Sequence, residues 1–224
     1  MVIFWDFDGT LTAPNKSFST ALHAALEQVG CPLSDGSDIH FLENVYTWKS
    51  PQEDHTTEIG EQWWDTLYEK VDIFCAEKGV NQAVFSQVHT FLREKLIHVD
   101  NYCLYSDTKE TLARCMQLGY RNYLLTNNYP EIVENIVKLG IDGYFTKLFV
   151  SSHIGYDKPR KELYEFAIQQ ANANGVAYMI GDNPVADMAG GQAAGLTTIY
   201  VHNGILPTAD FSVNELSQIP ELLK

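Results

Sequence analysis

The chain of 224 residues is strongly acidic, with 29 Asp and Glu against 15 Lys and Arg and a formal net charge of −14. Its composition, 45% hydrophobic and 12% aromatic, is typical of a folded globular protein and excludes disorder as the main state. Nucleic acids and anionic membrane surfaces are bound through basic patches, so neither is an expected partner. A small molecule or a protein is the expected partner, and the sequence leaves a monomer and a homodimer equally open.

The sequence also predicts an intracellular, cytoplasmic location. No run approaches the roughly 18 to 20 apolar residues that a membrane-spanning helix needs. The first residues, MVIFWD, lack the basic start and long apolar region of a signal peptide. The four cysteines, Cys31, Cys75, Cys103 and Cys115, show no metal-binding spacing and are predicted to be reduced thiols of the core.

The first half of the chain is dominated by helical patterns. Residues 1–5 form a short apolar run that predicts a buried strand. Beyond it, apolar residues recur three and four apart before Gly30, before Gly79 and over 84–96, which predicts three amphipathic helices. The segment 16–98 is therefore predicted to be helical and to contain no strand.

From residue 100 onwards, strand and helix patterns alternate. Strands are predicted at 120–126, 147–151, 176–181 and 197–201, and helices at about 108–118, 130–139, 160–172 and 184–194. Repeated β-α units require a parallel sheet that is covered on both faces. We therefore predict a doubly wound, Rossmann-like α/β core made of residues 1–15 and 99–224, with 16–98 as a helical insertion.

Polar residues follow each of the first four predicted strands. They are, in order, Asp6, Asp8, Gly9 and Thr10; Thr126 and Asn127; Lys158; and Asp182 with Asp187. Ligands of open α/β sheets bind at the carboxyl ends of the strands, so these side chains are expected to meet at one edge. Carboxylates brought that close repel one another unless a proton or a cation offsets them. So many acids at one edge favour an oxygen-ligated divalent cation, of which Mg²⁺ is the expected one.

The other residues of this edge favour a phosphoryl group as the ligand. Lys158, Thr126 and Asn127 are donors that, together with a cation, suit a tetrahedral oxyanion. A carboxylate beside the metal can attack phosphorus and form an aspartyl-phosphate. The second acid, Asp8, can protonate the leaving oxygen and later accept a proton from water. A small phosphorylated substrate is the predicted ligand.

These residues resemble the motifs of the haloacid dehalogenase-like hydrolase superfamily. The segment Asp6-Phe7-Asp8-Gly9-Thr10 resembles its first motif, Thr126-Asn127 its second, Lys158-Pro159 its third, and Gly181-Asp182 with Asp187 its fourth. The helical segment 16–98 is similar to the cap of the branch that includes phosphoglycolate phosphatase, β-phosphoglucomutase and haloacid dehalogenase. Asn128 departs from the pattern, because a smaller residue is more usual there.

The resemblance implies a role for each of these residues. It implies Asp6 as nucleophile and metal ligand, and Asp8 as general acid and base whose main-chain carbonyl also binds Mg²⁺. It implies Asp182 as a further metal ligand, and Asp187 as a residue that supports the metal's waters or holds Lys158. Thr126, Asn127 and Lys158 would bind the phosphoryl group, with Gly9 supporting the first motif. The implied activity is Mg²⁺-dependent hydrolysis of small phosphorylated metabolites.

Two other functions remain open for these residues. A phosphomutase would keep Asp8 and every phosphate ligand, and a non-catalytic phosphoryl-binding or regulatory protein would keep the acids, the hydroxyl and the lysine. A dehalogenase is disfavoured because such members of the superfamily lack the second acid that Asp8 supplies. A further question concerns four aromatic residues of the insertion, which are either core or pocket residues: Trp48, Trp63, Trp64 and Tyr68.

Overall fold

A parallel sheet of six strands organises the α/β part of the chain. The computed structural model describes residues 1–223. The strands are β1 (Val2–Trp5), β2 (Arg121–Thr126), β3 (Phe145–Val150), β4 (Ala177–Gly181), β5 (Thr197–Val201) and β6 (Phe211–Val213). Their order across the sheet is β3-β2-β1-β4-β5-β6, and each neighbouring pair is parallel. The strand order reverses at β1, whose neighbours β2 and β4 lie on either side of it.

Helices cover both faces of this sheet. The α-helices of residues 1–223 are, in chain order, α1 (Ser17–Gln28), α2 (Glu61–Glu77), α3 (Phe85–Ile97), α4 (Thr108–Gln117), α5 (Ile132–Lys138), α6 (Ser151–Ile154), α7 (Lys161–Gln170) and α8 (Gly190–Ala193). Alternate residues of β1 pack on opposite faces, as the two-residue period of a strand requires. Ile3 and Trp5 join one hydrophobic cluster, and Val2 and Phe4 join a second, which includes α7 residues. The predicted doubly wound α/β core is confirmed.

The insertion is helical, as the sequence predicts. The three predicted helices correspond to α1, α2 and α3, and residues 16–98, all of them described, contain no strand. Short 3₁₀ turns at Leu42–Asn44 and Thr47–Lys49 connect α1 to α2. The buried apolar residues of α1, α2 and α3 belong to the same cluster as Trp5 of the sheet. The insertion therefore packs directly on the α/β core.

Several local predictions were wrong in detail. The sequence did not predict the last strand, β6. A strand of three residues is too short to show an alternation of apolar and polar side chains. The predicted helix 184–194 is a π-helical segment, Pro184–Ala189, followed by the short α8. The predicted strand 147–151 begins earlier, at Phe145, and Ser151 already starts α6.

The cysteines are free thiols, but they are not all core residues. Cys75 and Cys115 are buried, and burial raises the pKa of both thiols, to about 11 and about 12. Cys31 is half-buried and Cys103 is exposed, so the prediction of four core thiols was wrong for these two. The apolar sequence neighbours of Cys103 did not indicate its burial correctly, because Cys103 lies in the connection before α4.

None of the helices within residues 1–223 is long and apolar enough to cross a bilayer.

A buried amide ties the central strand to its neighbour and to α4. Asn122 of β2 accepts a hydrogen bond from the indole nitrogen of Trp5 at 3.0 Å and donates one to the carbonyl of Leu112 at 3.1 Å. Asn122 and Trp5 are both completely buried. A buried donor or acceptor that loses its partner costs about 1–3 kcal/mol.

We therefore expect Asn122→Ala to lower the free energy of unfolding by about 1–3 kcal/mol, because it leaves the buried indole N–H of Trp5 without an acceptor. Urea unfolding followed by circular dichroism measures this change. The matched control is Asn174→Ala, since Asn174 is exposed and should change stability by less than about 0.5 kcal/mol. Equal stabilities of the two variants would contradict this account of the buried amide.

Candidate active site

The predicted site residues meet at the carboxyl edge of the sheet. Asp6 and Asp8 follow β1, Thr126 ends β2, and Asp182 follows β4. Because β1 lies between β2 and β4, the loops after these three strands are neighbours. Lys158 reaches the same place from the connection between α6 and α7.

The ammonium of Lys158 lies between two buried carboxylates. Its Nζ donates to Asp6 Oδ1 at 2.7 Å and to Asp187 Oδ1 at 2.6 Å. Lys158 is 3% exposed and Asp187 is fully buried. Burial alone would lower the pKa of Lys158, but the charges of Asp187 and Asp6 raise it above its usual value. The lysine therefore stays charged in a place that excludes water.

Each partner of this ammonium is itself held in place. The second oxygen of Asp187, Oδ2, accepts from the main-chain N–H of Asn183 at 3.0 Å. Asn127 binds the main chain of Lys158 at two points, since its Oδ1 accepts from the Lys158 N–H at 2.8 Å and its Nδ2 donates to the Lys158 carbonyl at 3.0 Å. Thr126 is buried beside it at the end of β2. Asn127 therefore holds the main chain of Lys158, a contact that the sequence did not predict.

Three of the acids form a cluster that suits a divalent cation. One carboxylate oxygen from each of Asp6, Asp182 and Asp187 lies within 4.8 Å of the other two. Burial, followed by the charge of Asp6, raises the pKa of Asp182 to about 6 and that of Asp187 to about 7. Such crowded carboxylates repel one another, and oxygen donors of this kind are the ligands that Mg²⁺ prefers. The residues of the cluster therefore fit a magnesium ion.

Gly9 is required by the closeness of these acids. Its φ is +78°, in the left-handed region that favours glycine. A Cβ at this position would lie 2.3 Å from Oδ2 of Asp182. Any other residue would therefore displace Asp182, which also accepts a hydrogen bond from the Thr10 hydroxyl at 3.2 Å. This close approach is a steric reason for glycine at position 9.

Asp8 lies apart from the three clustered acids and is held by Asn128. Nδ2 of Asn128 donates to Asp8 Oδ2 at 2.7 Å. Burial, and next the charge of Asp6, raises the pKa of Asp8 to about 8. The other oxygen, Oδ1, is buried and has no hydrogen-bond partner among residues 1–223. A carboxyl group with a raised pKa and one oxygen free of a partner suits a proton donor.

Asn128 is a residue of the candidate site to which the sequence assigned no role. Its main-chain N–H donates to Ser151 Oγ at 3.2 Å, and its Oδ1 accepts from the Tyr129 N–H at 3.1 Å. These contacts fix its amide toward Asp8, although the two residues are 120 positions apart. The only signal in the sequence was that an amide stands directly after Thr126-Asn127, where a smaller residue is more usual.

The insertion is bound to the core close to this site. Glu131, in the loop after β2, accepts from the indole nitrogen of Trp64 at 3.0 Å and from Nε of Arg93 at 2.8 Å. Arg93 also binds Glu61 through two hydrogen bonds of 2.9 and 2.8 Å, and its guanidinium lies 4.9 Å from the ring centre of Trp64. The bidentate contact joins α3 to α2. The hydrogen bonds to Glu131 join both helices to the loop that carries Asn127 and Asn128.

The chain belongs to the haloacid dehalogenase-like hydrolases, because the sequence model of this family matches residues 1–195. It is 25% identical to the glyceraldehyde 3-phosphate phosphatase of Pyrococcus furiosus, in an alignment that covers all of this chain and 91% of that protein. It is 30% identical to the phosphoserine phosphatase of Thermus thermophilus over 63% of this chain, a match that spans only 58% of that enzyme.

A solved structure of similar fold is that of the HAD-hydrolase YfnB of Bacillus subtilis bound to magnesium. It superposes with a TM-score of 0.71 at 19% identity, over 99% of this chain and 97% of that one. The predicted family, the predicted fold and the predicted enzyme class, a phosphoric monoester hydrolase, are thereby confirmed.

The crowding of the acids predicts how the stability of the metal-free protein depends on pH. The folded-state pKa values of Asp182 and Asp187, about 6 and about 7, lie above the value of about 3.9 for an unfolded Asp. Between these values the folded state binds more protons than the unfolded state, so these groups make the protein less stable as pH rises. We expect Asp182→Asn to stabilise the chelator-treated protein at pH 8 and to have a smaller effect at pH 5.5.

Urea unfolding at the two pH values, in the presence of a chelator, measures this difference. The control is Asp65→Asn, because Asp65 is an exposed acid of α2 that makes no hydrogen bond or ion pair with the site residues. Loss of stability in Asp182→Asn at pH 8, relative to wild type, would contradict the repulsion among these carboxylates.

Proposed function

We propose that this chain is a Mg²⁺-dependent phosphatase of small phosphorylated metabolites that acts through an aspartyl-phosphate on Asp6. The observation that carries the proposal is the position of the Lys158 ammonium, which binds Asp6 at 2.7 Å beside the cluster of Asp6, Asp182 and Asp187. A cation, a lysine and a carboxylate nucleophile at one sheet edge suit transfer of a phosphoryl group. The named phosphatases among the relatives support a small phosphate ester as the substrate.

In the proposed first step, a carboxylate oxygen of Asp6 attacks phosphorus. Lys158 binds Oδ1 of Asp6, which leaves Oδ2 for the new bond to phosphorus. Lys158, Thr126 and Asn127 offer donors to the phosphoryl oxygens, and the positive charge of Lys158 offsets the charge that grows there. The bond from phosphorus to the leaving oxygen breaks, and Asp8 gives that oxygen its proton.

In the proposed second step, water replaces Asp6 on phosphorus. Asp8, which is now a carboxylate, accepts a proton from the attacking water, and the bond between Asp6 and phosphorus breaks. Inorganic phosphate leaves and the carboxylate of Asp6 is restored. Asn128 keeps Asp8 in one orientation through both steps, because its amide can donate to the carboxyl group in either protonation state.

Asp6 and Asp182 would hold the magnesium ion with their side chains, and Asp8 would bind it with its main-chain carbonyl. Bound Mg²⁺ offsets the negative charges of the phosphoryl group and of Asp6, which would otherwise repel each other. Asp187 serves mainly as the anchor of Lys158, since both of its oxygens accept hydrogen bonds from this chain. The magnesium bound to YfnB, a protein of the same fold, supports this choice of metal.

The segment 16–98 is the proposed cap over this site. Its contact with Glu131, through Arg93 and Trp64, supports a closed arrangement in which the cap covers Asp8 and excludes bulk water from the site. The proposed enzyme works in the cytoplasm on a small ligand. Product analysis separates it from a mutase, because a mutase would yield an isomer of the substrate and no free phosphate.

Substitution of the nucleophile provides the test of this proposal. We expect Asp6→Asn to lower the rate of phosphate release by at least about 1,000-fold, because an amide cannot form the covalent intermediate. Phosphate release from a panel of sugar phosphates, phosphoserine and glyceraldehyde 3-phosphate measures this rate. Asp65→Asn, the exposed control, should retain the wild-type rate.

Chelation of divalent cations should abolish the wild-type rate, and added Mg²⁺ should restore it. Turnover by Asp6→Asn at the wild-type rate would contradict the assignment of Asp6 as the nucleophile. A rate that is independent of metal would remove Mg²⁺ from the proposal while leaving Asp6 in place.

A further inference from the structure

A cavity lies between the catalytic edge and the cap. Its volume is about 290 Å³. Asp8 and Asn127 line it on the side of the sheet, and Phe18, Tyr46 and Trp48 line it on the side of the cap. A leaving group that takes its proton from Asp8 would occupy this space. The cap wall therefore contacts the part of the substrate that varies from one phosphate ester to another.

The cap wall is an ordered set of aromatic rings. Trp48 stacks on Tyr46 with ring centres 4.3 Å apart and planes 17° from parallel. Phe18 meets both rings edge-on, with its centre 5.7 Å from each. Trp63 lies behind them, 6.1 Å from the centres of Trp48 and Tyr46.

These rings differ in burial, which separates core residues from wall residues. Tyr46 and Trp63 are each 2% exposed, whereas Phe18 and Trp48 are only half-buried. Aromatic side chains with exposed surface beside a cavity can stack on a ligand ring, which buried ones cannot do. Trp48 is thus the stacking residue of this wall, and Trp63 is its structural support.

The polar groups of the rim are few. Glu43 also lines the cavity, and its carboxylate lies 3.1 Å from Nδ1 of His40. Lys49 lines the rim as well, and its ammonium has no hydrogen bond or ion pair within residues 1–223. The cap as a whole is acidic, with 13 acidic and 6 basic residues in 16–98. The aromatic wall favours an apolar ring as the part of the leaving group that it contacts, while Glu43 and Lys49 supply one charge of each sign beside it.

The volume limits how large that group can be. Pockets for drug-sized ligands range from about 300 to 1,000 Å³, so the volume of this cavity lies just below that range. It has room for one ring close to the phosphate, and less room for a sugar and a base together.

We propose that the cavity binds a single aromatic ring in the leaving group of the substrate, stacked against Trp48 and packed on Phe18. This inference rests on the proposed phosphatase function and adds to it the class of substrate, a phosphate monoester of an aryl-substituted alcohol. Aromatic stacking of this kind adds a preference of about 3- to 10-fold beyond simple apolar burial.

The test compares two esters that differ only in aromaticity, benzyl phosphate and cyclohexylmethyl phosphate. We expect the wild type to show a kcat/KM that is about 3- to 10-fold higher for the benzyl ester. Trp48→Leu should bring the ratio of the two values close to one, because leucine keeps an apolar surface but cannot stack. Trp63→Phe, the matched control in the buried support, should keep the wild-type ratio, and thermal unfolding checks that both variants fold.

A second measurement does not depend on turnover. In 2-phenylethylphosphonate and 2-cyclohexylethylphosphonate a CH₂ group replaces the ester oxygen of the benzyl and cyclohexylmethyl esters. These analogues are inert, and their binding to the wild type, with Mg²⁺ present, can be followed by calorimetry. The analogue of the benzyl ester should bind about 3- to 10-fold more tightly. Equal binding of the two analogues would overturn the inference, even where phosphate release upholds the proposed function.

A third comparison separates a single ring from a nucleoside. Nucleoside 5′-monophosphates should show no advantage in kcat/KM over ribose 5-phosphate, because the cavity has little room for both sugar and base. A strong advantage of the nucleotides, without any preference for benzyl phosphate, would also overturn the inference. Failure of every ester to release phosphate, with the phosphonate preference intact, would instead overturn the proposed function alone.

Discussion

The ammonium of Lys158 is the interaction on which the rest of the site depends. Four carboxylates, those of Asp6, Asp8, Asp182 and Asp187, lie at one edge of a sheet, and Lys158 places one positive charge among them. Loss of one partner from a buried ion pair is far more costly than loss of a surface charge. Lys158 offsets only part of the negative charge, and the remainder is what makes the edge suitable for a divalent cation.

The sheet order explains how distant parts of the chain reach this ammonium. β1 lies between β2 and β4, so the loops after these strands are adjacent at the point where the strand order reverses. Two of the acids lie so close to the main chain of these loops that glycine is required at two positions. Besides Gly9, Gly181 has no room for a Cβ, which would lie 2.2 Å from Cγ of Asp187. These glycines let the acids of the first and last motifs pack against the strands.

Much of this arrangement could be predicted because it is local or periodic in the sequence. The strand patterns, the helix spacing of the insertion and the polar residues after each strand all follow from short-range chemistry, and the structure confirms the fold that they predicted. The sequence also placed Asp6 and Lys158 at one sheet edge, which the hydrogen bond between them bears out.

The remaining features depend on contacts between residues that are far apart in the chain, and no pattern within the sequence predicts these contacts. The bond from Asn128 to Asp8 joins residues 120 positions apart. The difference between Trp48 and Trp63 is one of packing, because both follow apolar patterns in the same segment. Cys103 shows the same limit, since its apolar neighbours indicated burial and the residue is exposed.

The most direct test of the central claim is to trap the phosphoryl group on Asp6. Asp8→Asn should slow hydrolysis of the intermediate, while 4-nitrophenyl phosphate, whose leaving group needs no acid, should still phosphorylate Asp6. Acid quenching followed by mass spectrometry of the peptides should then find one phosphoryl group, attached to Asp6. A phosphoryl group on another residue, or release of 4-nitrophenol with no phosphorylated peptide at any time, would contradict the account.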